Sequence, residues 1–185
     1  MDREFVPLVL DANVIIDLVK LGVLHDVARV ARYSFLVVEE VMDEVRRPEQ
    51  ARALQEAIAT GIVVATALQS LEEEALLASL KESLGAGEAA CLAVAHHRKF
   101  LVASDETQRK FMREVRRLIG EDNLVRSATL LAKVGGKELE CLERLDGAVA
   151  ALAATAANPR DREEVAHLER VVGRVRNLLR GPANA

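Results

Sequence analysis

The sequence predicts an α/β fold with a mainly parallel sheet of four or five strands. Short apolar runs alternate with longer stretches of helical periodicity, which is the pattern of βαβ units. Half of the residues are hydrophobic but only 3% are aromatic, so the core must be aliphatic. Such a core is typical of helices packed on a sheet. A chain of 185 residues suits one domain with a small appendage.

The predicted strands are the apolar runs, which lie at residues 5–10, 34–38, 62–65, 100–103 and, for a short fifth strand, 124–126. Parallel strands carry their carboxyl ends along one edge of the sheet, where ligands bind in folds of this class. Asp11 and Asp105 both follow such ends. Their placement is the first sign that they belong to one site.

Helices are predicted between the strands, at residues 13–20, 24–31, 39–46, 49–59, 71–84 and 88–97, with a basic helix that ends near residue 118. Gly22 and Gly61 stop two of these helices, and Pro48 interrupts or restarts another. The break Gly85-Ala86-Gly87 opens the helix that begins at Glu88.

The tail differs from the rest, because its apolar residues keep heptad-like spacing in two further helices. Asn158 and Pro159 form an N-cap and N1 pair for the second of them. We predict an antiparallel helical hairpin that packs on the domain or on a second chain. The predicted division is a domain over residues 1–135 and a helical extension over residues 136–185.

Composition limits the class of protein. Cys91 and Cys141 lie far apart without metal-ligand spacing, so neither a disulfide framework nor a zinc site is expected. The N-terminus lacks the basic flank of a signal peptide, and no apolar run is long enough for a membrane span. We expect a soluble cytoplasmic protein with no membrane contact. The net charge of −4 counts mildly against a polynucleotide binder without excluding one.

Four acids follow strands or begin helices, and each has an ordinary explanation. Asp11 could cap the next helix, and Asp105-x-x-Gln108 resembles a capping box. Glu88 could complement its helix dipole, and Glu44 could be one of several solvated acids.

As a set, these acids favour a metal site. Two carboxylates ~4 Å apart repel by about 1 kcal/mol in water and by about 4 kcal/mol where the effective dielectric constant is about 20. Mg²⁺ and Mn²⁺ relieve such repulsion, because they prefer carboxylate and water oxygens. One or two of these ions would bind a scissile phosphate and activate a water molecule.

The ordered motifs resemble the PIN-domain family of nucleases. They are LVLDANVIIDL, VVEEVMDEV, GAGEAACLAVA and LVASDETQ, within about residues 6–133. The chain looks closest to the prokaryotic branch that includes the ribonuclease toxins of toxin–antitoxin pairs. The resemblance implies a three-layer α/β/α fold, an acidic pocket for Mg²⁺ or Mn²⁺, and phosphodiester hydrolysis, usually of RNA.

The resemblance also assigns residues. It makes the following acids the catalytic residues and metal ligands: Asp11, Glu44, Glu88 and Asp105. Asn13 would orient Asp11 or a water molecule, Glu106 would be an accessory ligand, and Glu40 competes with Glu44 because it lies one turn earlier.

The basic helix after Asp105 offers phosphate contacts through Arg109, Lys110 and Arg113, although a solvated helix face explains these residues equally well. The chain departs from the family in the segment NLVRSATLLAKV and in the helical tail, which puts substrate and partner in doubt more than fold.

The expected function is a metal-dependent endoribonuclease, the toxin of a toxin–antitoxin pair. Its expected partners are RNA, a small antitoxin protein and a second copy of the chain. Two alternatives stay open. One is a non-catalytic PIN-like scaffold that binds RNA or protein, and the other is a haloacid-dehalogenase-like phosphatase. The phosphatase would need a second acid where the chain has Asn13.

Overall fold

The sheet of the protein, seen in a computed structural model that describes residues 5–134 and 138–180, is entirely parallel. Its strands are β1 (Val6–Leu10), β2 (Tyr33–Val38), β3 (Val63–Thr66), β4 (Leu101–Ala103) and β5 (Leu124–Val125). They lie in the order β3-β2-β1-β4-β5. The predicted α/β fold with a parallel sheet is therefore confirmed.

The helices follow the predicted order closely. They are α1 (Ala12–Lys20), α2 (Leu24–Val30), α3 (Glu39–Glu44), α4 (Pro48–Ala59), α5 (Leu71–Leu80), α6 (Ala86–Arg98), α7 (Arg109–Leu118), α8 (Ser127–Leu131), α9 (Glu138–Thr155) and α10 (Pro159–Arg180). Two short elements were not predicted, namely α8 and a 3-10 turn at Glu121–Asn123. Within the described ranges, no helix is both long and apolar enough to cross a membrane.

The strand order creates a switch point at the centre of the sheet. From β1 the chain moves outward through β2 to β3, and then returns to place β4 on the other side of β1. Leu10 pairs in register with Ala103, and the backbone N–H of Asp11 donates to the Ala103 carbonyl at 3.0 Å. In open parallel sheets, ligands bind outside the carboxyl ends of the strands at such a point.

Helix α6 packs against β1, β2 and β4 through small side chains. The residues of its buried face include Ala89, Ala90, Ala93 and Ala95. Because alanine allows the helix axis to approach the sheet closely, the N-terminus of α6 is held near the switch point. Cys91 is fully buried on the same helix, and its thiol donates to the Leu10 carbonyl at 3.7 Å.

By packing, the chain divides into two compact units. The first comprises residues 1–16 and 32–126, which include the sheet, and the second comprises residues 17–31 and 127–185. The predicted boundary between a domain and a helical extension, at residues 135 and 136, stays a prediction. Both residues lie outside the described ranges.

In the second unit, α9 and α10 form the predicted antiparallel hairpin. Arg176 near the end of α10 donates to both carboxylate oxygens of Asp146 in the first half of α9, each at 2.9 Å. The predicted cap of α10 is present, because the Asp161 N–H donates to the Asn158 side chain at 3.0 Å. Asp17 is buried, and His167 Nε2 lies 2.9 Å from its carboxylate.

Candidate active site

Asp11 lies at the switch point, directly after β1, and its side chain is only 3% exposed. Its Oδ1 accepts a hydrogen bond from the Ala12 N–H at 2.7 Å, and its Oδ2 accepts one from the Ser104 hydroxyl at 2.9 Å. Burial raises the pKa of Asp11 from 3.8 to about 6 despite these two hydrogen bonds, with smaller contributions from Glu88 and Glu44. Removal from water therefore dominates the electrostatics of this carboxylate.

The loop after β4 is tied to Asp11 and to a distant arginine. Ser104 is fully buried, and its hydroxyl also accepts the Glu106 N–H at 3.1 Å. The Arg126 guanidinium donates to the carbonyls of Ser104 and Glu106 at 2.9 and 2.8 Å. These contacts fix the backbone of residues 104–106, the segment that carries Asp105.

Glu88 lies in the first turn of α6, where helix N–H groups favour negative charge. Its Oε2 accepts the Gly85 N–H at 3.2 Å. Burial raises the pKa of Glu88, and repulsion from Glu106 and Glu44 raises it further, against the lowering effect of the Gly85 hydrogen bond. Glu88 therefore lies within electrostatic reach of both of these acids.

Glu44 ends α3 and meets the same helix terminus. Its Oε1 accepts the Gly87 N–H at 2.8 Å, although the two residues are 43 positions apart in sequence. Glu40, the competing acid, lies one turn earlier on α3. Among the described residues, Glu40 Oε2 is buried without a hydrogen-bond partner, which is unfavourable for a polar oxygen unless a ligand meets it.

The pKa of the buried Cys91 thiol responds to the charges of the acids around the end of β1. Burial raises its pKa well above the ordinary value, and further contributions come from the acids Asp11, Glu44, Glu40 and Glu88. Four carboxylates from α3, α6 and the end of β1 therefore lie within electrostatic reach of one buried position.

Asp105 and Glu106 follow Ser104 and are partly buried. The Glu106 carboxylate accepts the N–H groups of Thr107 and Gln108, each at 2.6 Å, directly before α7. The capping box predicted for Asp105 would use the Gln108 N–H, and in the structure the Glu106 carboxylate binds this group. Asn13 is exposed, and the side-chain oxygens of Asp11 are bound by Ala12 and Ser104 rather than by Asn13.

The acids are gathered but do not form a closed ligand shell. In the part of the chain that the structure describes, no three His, Cys, Asp or Glu side chains are arranged so that they could hold a metal ion. Asp11, Glu44 and Glu88 each bind a backbone N–H instead.

The basic side chains of α7 differ in their partners, and one of them, Arg116, binds Glu121. Arg113 and Arg117 donate to the buried carboxylate of Glu114 at 2.9 and 2.7 Å. Burial acts to raise the pKa of Glu114, but these hydrogen bonds outweigh it and leave the pKa lowered. Arg109 and Lys110 are exposed in the first turn of α7, and no other described residue forms an ion pair with either.

Ser104, Gly87 and Arg126 shape this region but were not predicted as site residues. Ser104 gave a partial signal, because it precedes Asp105 at a strand end. Nothing in the local sequence shows that Gly87 binds Glu44 or that Arg126 binds the loop at Ser104, since both contacts join segments distant in sequence.

A buried aspartate at a switch point, surrounded by glutamates from two helices, defines an acidic site on an α/β fold. A family model described as a PIN domain matches residues 7–118, more than half of the chain. The protein belongs to the PIN-domain family, whose members are generally nucleases. Comparison with individual curated proteins and with solved structures gives no match.

Proposed function

We propose that the protein is a Mg²⁺- or Mn²⁺-dependent endoribonuclease whose catalytic residues and metal ligands are Asp11, Glu44, Glu88 and Asp105. The observation that carries this proposal is the position of Asp11. Its carboxylate is buried at the switch point, and Glu88 and Glu44 lie near enough to raise its pKa. Buried carboxylates with perturbed pKa values cluster at functional sites.

A divalent cation fits the chemistry of these donors. The ligands offered are all carboxylate oxygens, which Mg²⁺ and Mn²⁺ prefer. The buried, unpartnered Oε2 of Glu40 adds an oxygen that a cation would stabilise. When bound, the metal would activate water and stabilise the charge that develops on the phosphate.

The protein's own groups orient the carboxylates. Ser104 and Ala12 hold Asp11, while Gly85 holds one oxygen of Glu88. With a pKa of about 6, Asp11 is mostly ionised at neutral pH and can act as a ligand there. Below about pH 6 it takes up a proton, so we expect activity to fall as the pH decreases through this range.

The substrate is assigned to RNA from the family resemblance and from exposed positive charge. Arg109 and Lys110 follow the loop of Asp105 and are exposed, so they can contact backbone phosphates. Arg113 is a weaker candidate, because its guanidinium already binds Glu114.

The test is cleavage of end-labelled single-stranded RNA by wild type and by Asp11→Asn, with Mg²⁺, with Mn²⁺ and with chelator. We expect metal-dependent cleavage by wild type and none by the variant. Asp122→Asn, an exposed acid in the 3-10 turn, is the control for loss of one charge. Cleavage by Asp11→Asn at the wild-type rate would contradict the proposal.

The two alternatives give different outcomes in the same preparation. A non-catalytic scaffold would bind RNA but would show no heat of Mn²⁺ binding in calorimetry. A phosphatase would form a phospho-aspartate that can be trapped after acid quench, whereas the proposed hydrolysis forms no such adduct.

We also propose that the protein is the toxin of a toxin–antitoxin pair, that a small antitoxin protein binds it, and that it forms a homodimer. A small protein encoded beside this gene that binds the chain and suppresses its RNA cleavage would support the toxin role. Sedimentation at micromolar concentration tests the homodimer, which a monomeric mass would contradict.

A further inference from the structure

Gly87 stands in unusually close contact with Glu44. A Cβ atom built at Gly87 would lie 2.8 Å from Oε1, 2.9 Å from Cδ and 2.9 Å from Oε2 of Glu44. Real Cβ atoms are essentially never found so close to other heavy atoms. The space beside the Gly87 backbone is therefore filled by the carboxylate of Glu44.

Gly85, two residues earlier in the same motif, is different. A Cβ atom there would meet Glu88 at 3.8 Å, an ordinary van der Waals contact. Its backbone is extended, with φ −64° and ψ 159°, which any residue adopts. A side chain at Gly87 would therefore displace the Glu44 carboxylate, which is the flexible end of its side chain, whereas one at Gly85 would displace nothing.

We propose that Gly87 is a positioning residue, which fixes the carboxylate of Glu44 in the site. This inference rests on the proposed function. The Gly87 N–H holds one carboxylate oxygen at 2.8 Å, and the absent side chain leaves room for the whole carboxylate. The positive end of α6 adds a favourable field for the negative charge.

The contact also separates the two glutamates of α3. Both lie within electrostatic reach of Cys91, but Glu44 is the one that binds the N-terminus of α6, beside Glu88. Glu40 Oε2 has no hydrogen-bond partner in the described ranges, so no such contact orients this oxygen. A ligand held by a hydrogen bond is better oriented than one without.

Mn²⁺ titration of metal-free protein by calorimetry tests the proposal without measuring activity. We expect Gly87→Ala to weaken Mn²⁺ binding by about tenfold or more, as the loss of an orienting contact does at other metal sites. Gly147→Ala is the control, because it makes the same change within a helix, α9, at a position where a Cβ atom would meet nothing within 4 Å; its expected Mn²⁺ affinity is that of wild type. Wild-type affinity in Gly87→Ala would overturn the proposal.

A thermal double-mutant cycle in chelator identifies the partner. With Glu44 present, Gly87→Ala should lower Tm, because the new methyl group displaces the carboxylate. In the Glu44→Ala background, it should raise Tm by about 2–4 °C, because alanine favours a helix over glycine. In the Glu40→Ala background, it should lower Tm as in wild type.

Each remaining outcome decides the proposal. An equal change of Tm in all three backgrounds would overturn it, because Gly87 would then be uncoupled from Glu44. If wild type binds no Mn²⁺, the proposed function fails and the role of Gly87 in metal binding fails with it. The cycle would then still show whether Gly87 positions Glu44.

Discussion

Replacement of Asp11 by asparagine should stabilise the metal-free protein at neutral pH. Asparagine keeps the shape of the side chain, its carbonyl can accept the Ala12 N–H, and its amide can donate to the Ser104 hydroxyl. The buried negative charge is the largest difference, and the second is that the buried Ser104 hydroxyl no longer donates to this side chain. The variant therefore measures what this charge costs the fold.

The magnitude follows from the shift of the Asp11 pKa from 3.8 to about 6. At about 1.4 kcal/mol per pKa unit, this shift corresponds to about 3 kcal/mol. Because the pKa is raised on folding, the favourable contribution is fully present below pH 3.8 and is lost as the pH rises through about 6. Wild type should therefore lose stability over this range relative to the variant.

The assay is thermal and urea unfolding in chelator between about pH 4 and pH 7.5. For a chain of this size, a gain of about 1–3 kcal/mol raises Tm by roughly 2–12 °C. We expect this gain for Asp11→Asn at pH 7.5 and little of it at pH 4, whereas Asp122→Asn should show neither. A variant less stable than wild type at pH 7.5, or a gain that does not depend on pH, would refute the reasoning.

Three further predictions concern the site, the proposed RNA contacts and the far end of α6. Ser104→Ala removes a hydrogen bond that lowers the pKa of Asp11, so the pH at which wild type loses stability should move above about 6, as measured by the same unfolding series. Arg109→Ala with Lys110→Ala should reduce the salt dependence of single-stranded RNA binding by about 0.7 per lost phosphate contact, and an unchanged slope would place the RNA elsewhere. Arg98 donates to the buried carboxylate of Glu73 at 2.7 and 2.8 Å. Arg98→Ala removes this cation, so it should lower the free energy of unfolding in urea by about 3–5 kcal/mol.

The sequence predicted the elements well where apolar runs have clear ends. The first strand was expected at residues 5–10 and is observed at Val6–Leu10. Helix α5 was expected to reach residue 84 but ends at Leu80, and the next residues turn back so that the N–H groups of Ser83 and Leu84 both donate to the Leu80 carbonyl. Hydrophobic periodicity does not distinguish such a turn from a continued helix, because in both cases backbone N–H groups donate to a carbonyl three or four residues earlier.

The site was predictable only in part, for a related physical reason. Asp11 could be found because a strand end is a local signal, and parallel strands bring such ends to one edge. Ser104 meets Asp11 only through the register that pairs Leu10 with Ala103, and Gly87 meets Glu44 only through the packing of α3 on α6. Such contacts depend on tertiary structure, which a single sequence does not specify residue by residue.

The energetics of Asp11 link the stability of the fold to the proposed metal site. Burial, together with smaller repulsion from nearby acids, costs the ionised Asp11 carboxylate about 3 kcal/mol, and a bound cation would offset part of this cost. Asp11→Asn would remove this cost and the metal affinity together. Saturating Mn²⁺ should therefore raise the Tm of wild type toward or above that of the variant, while leaving the variant unchanged. A site built in this way is least stable when empty, which is the expected trade between stability and function.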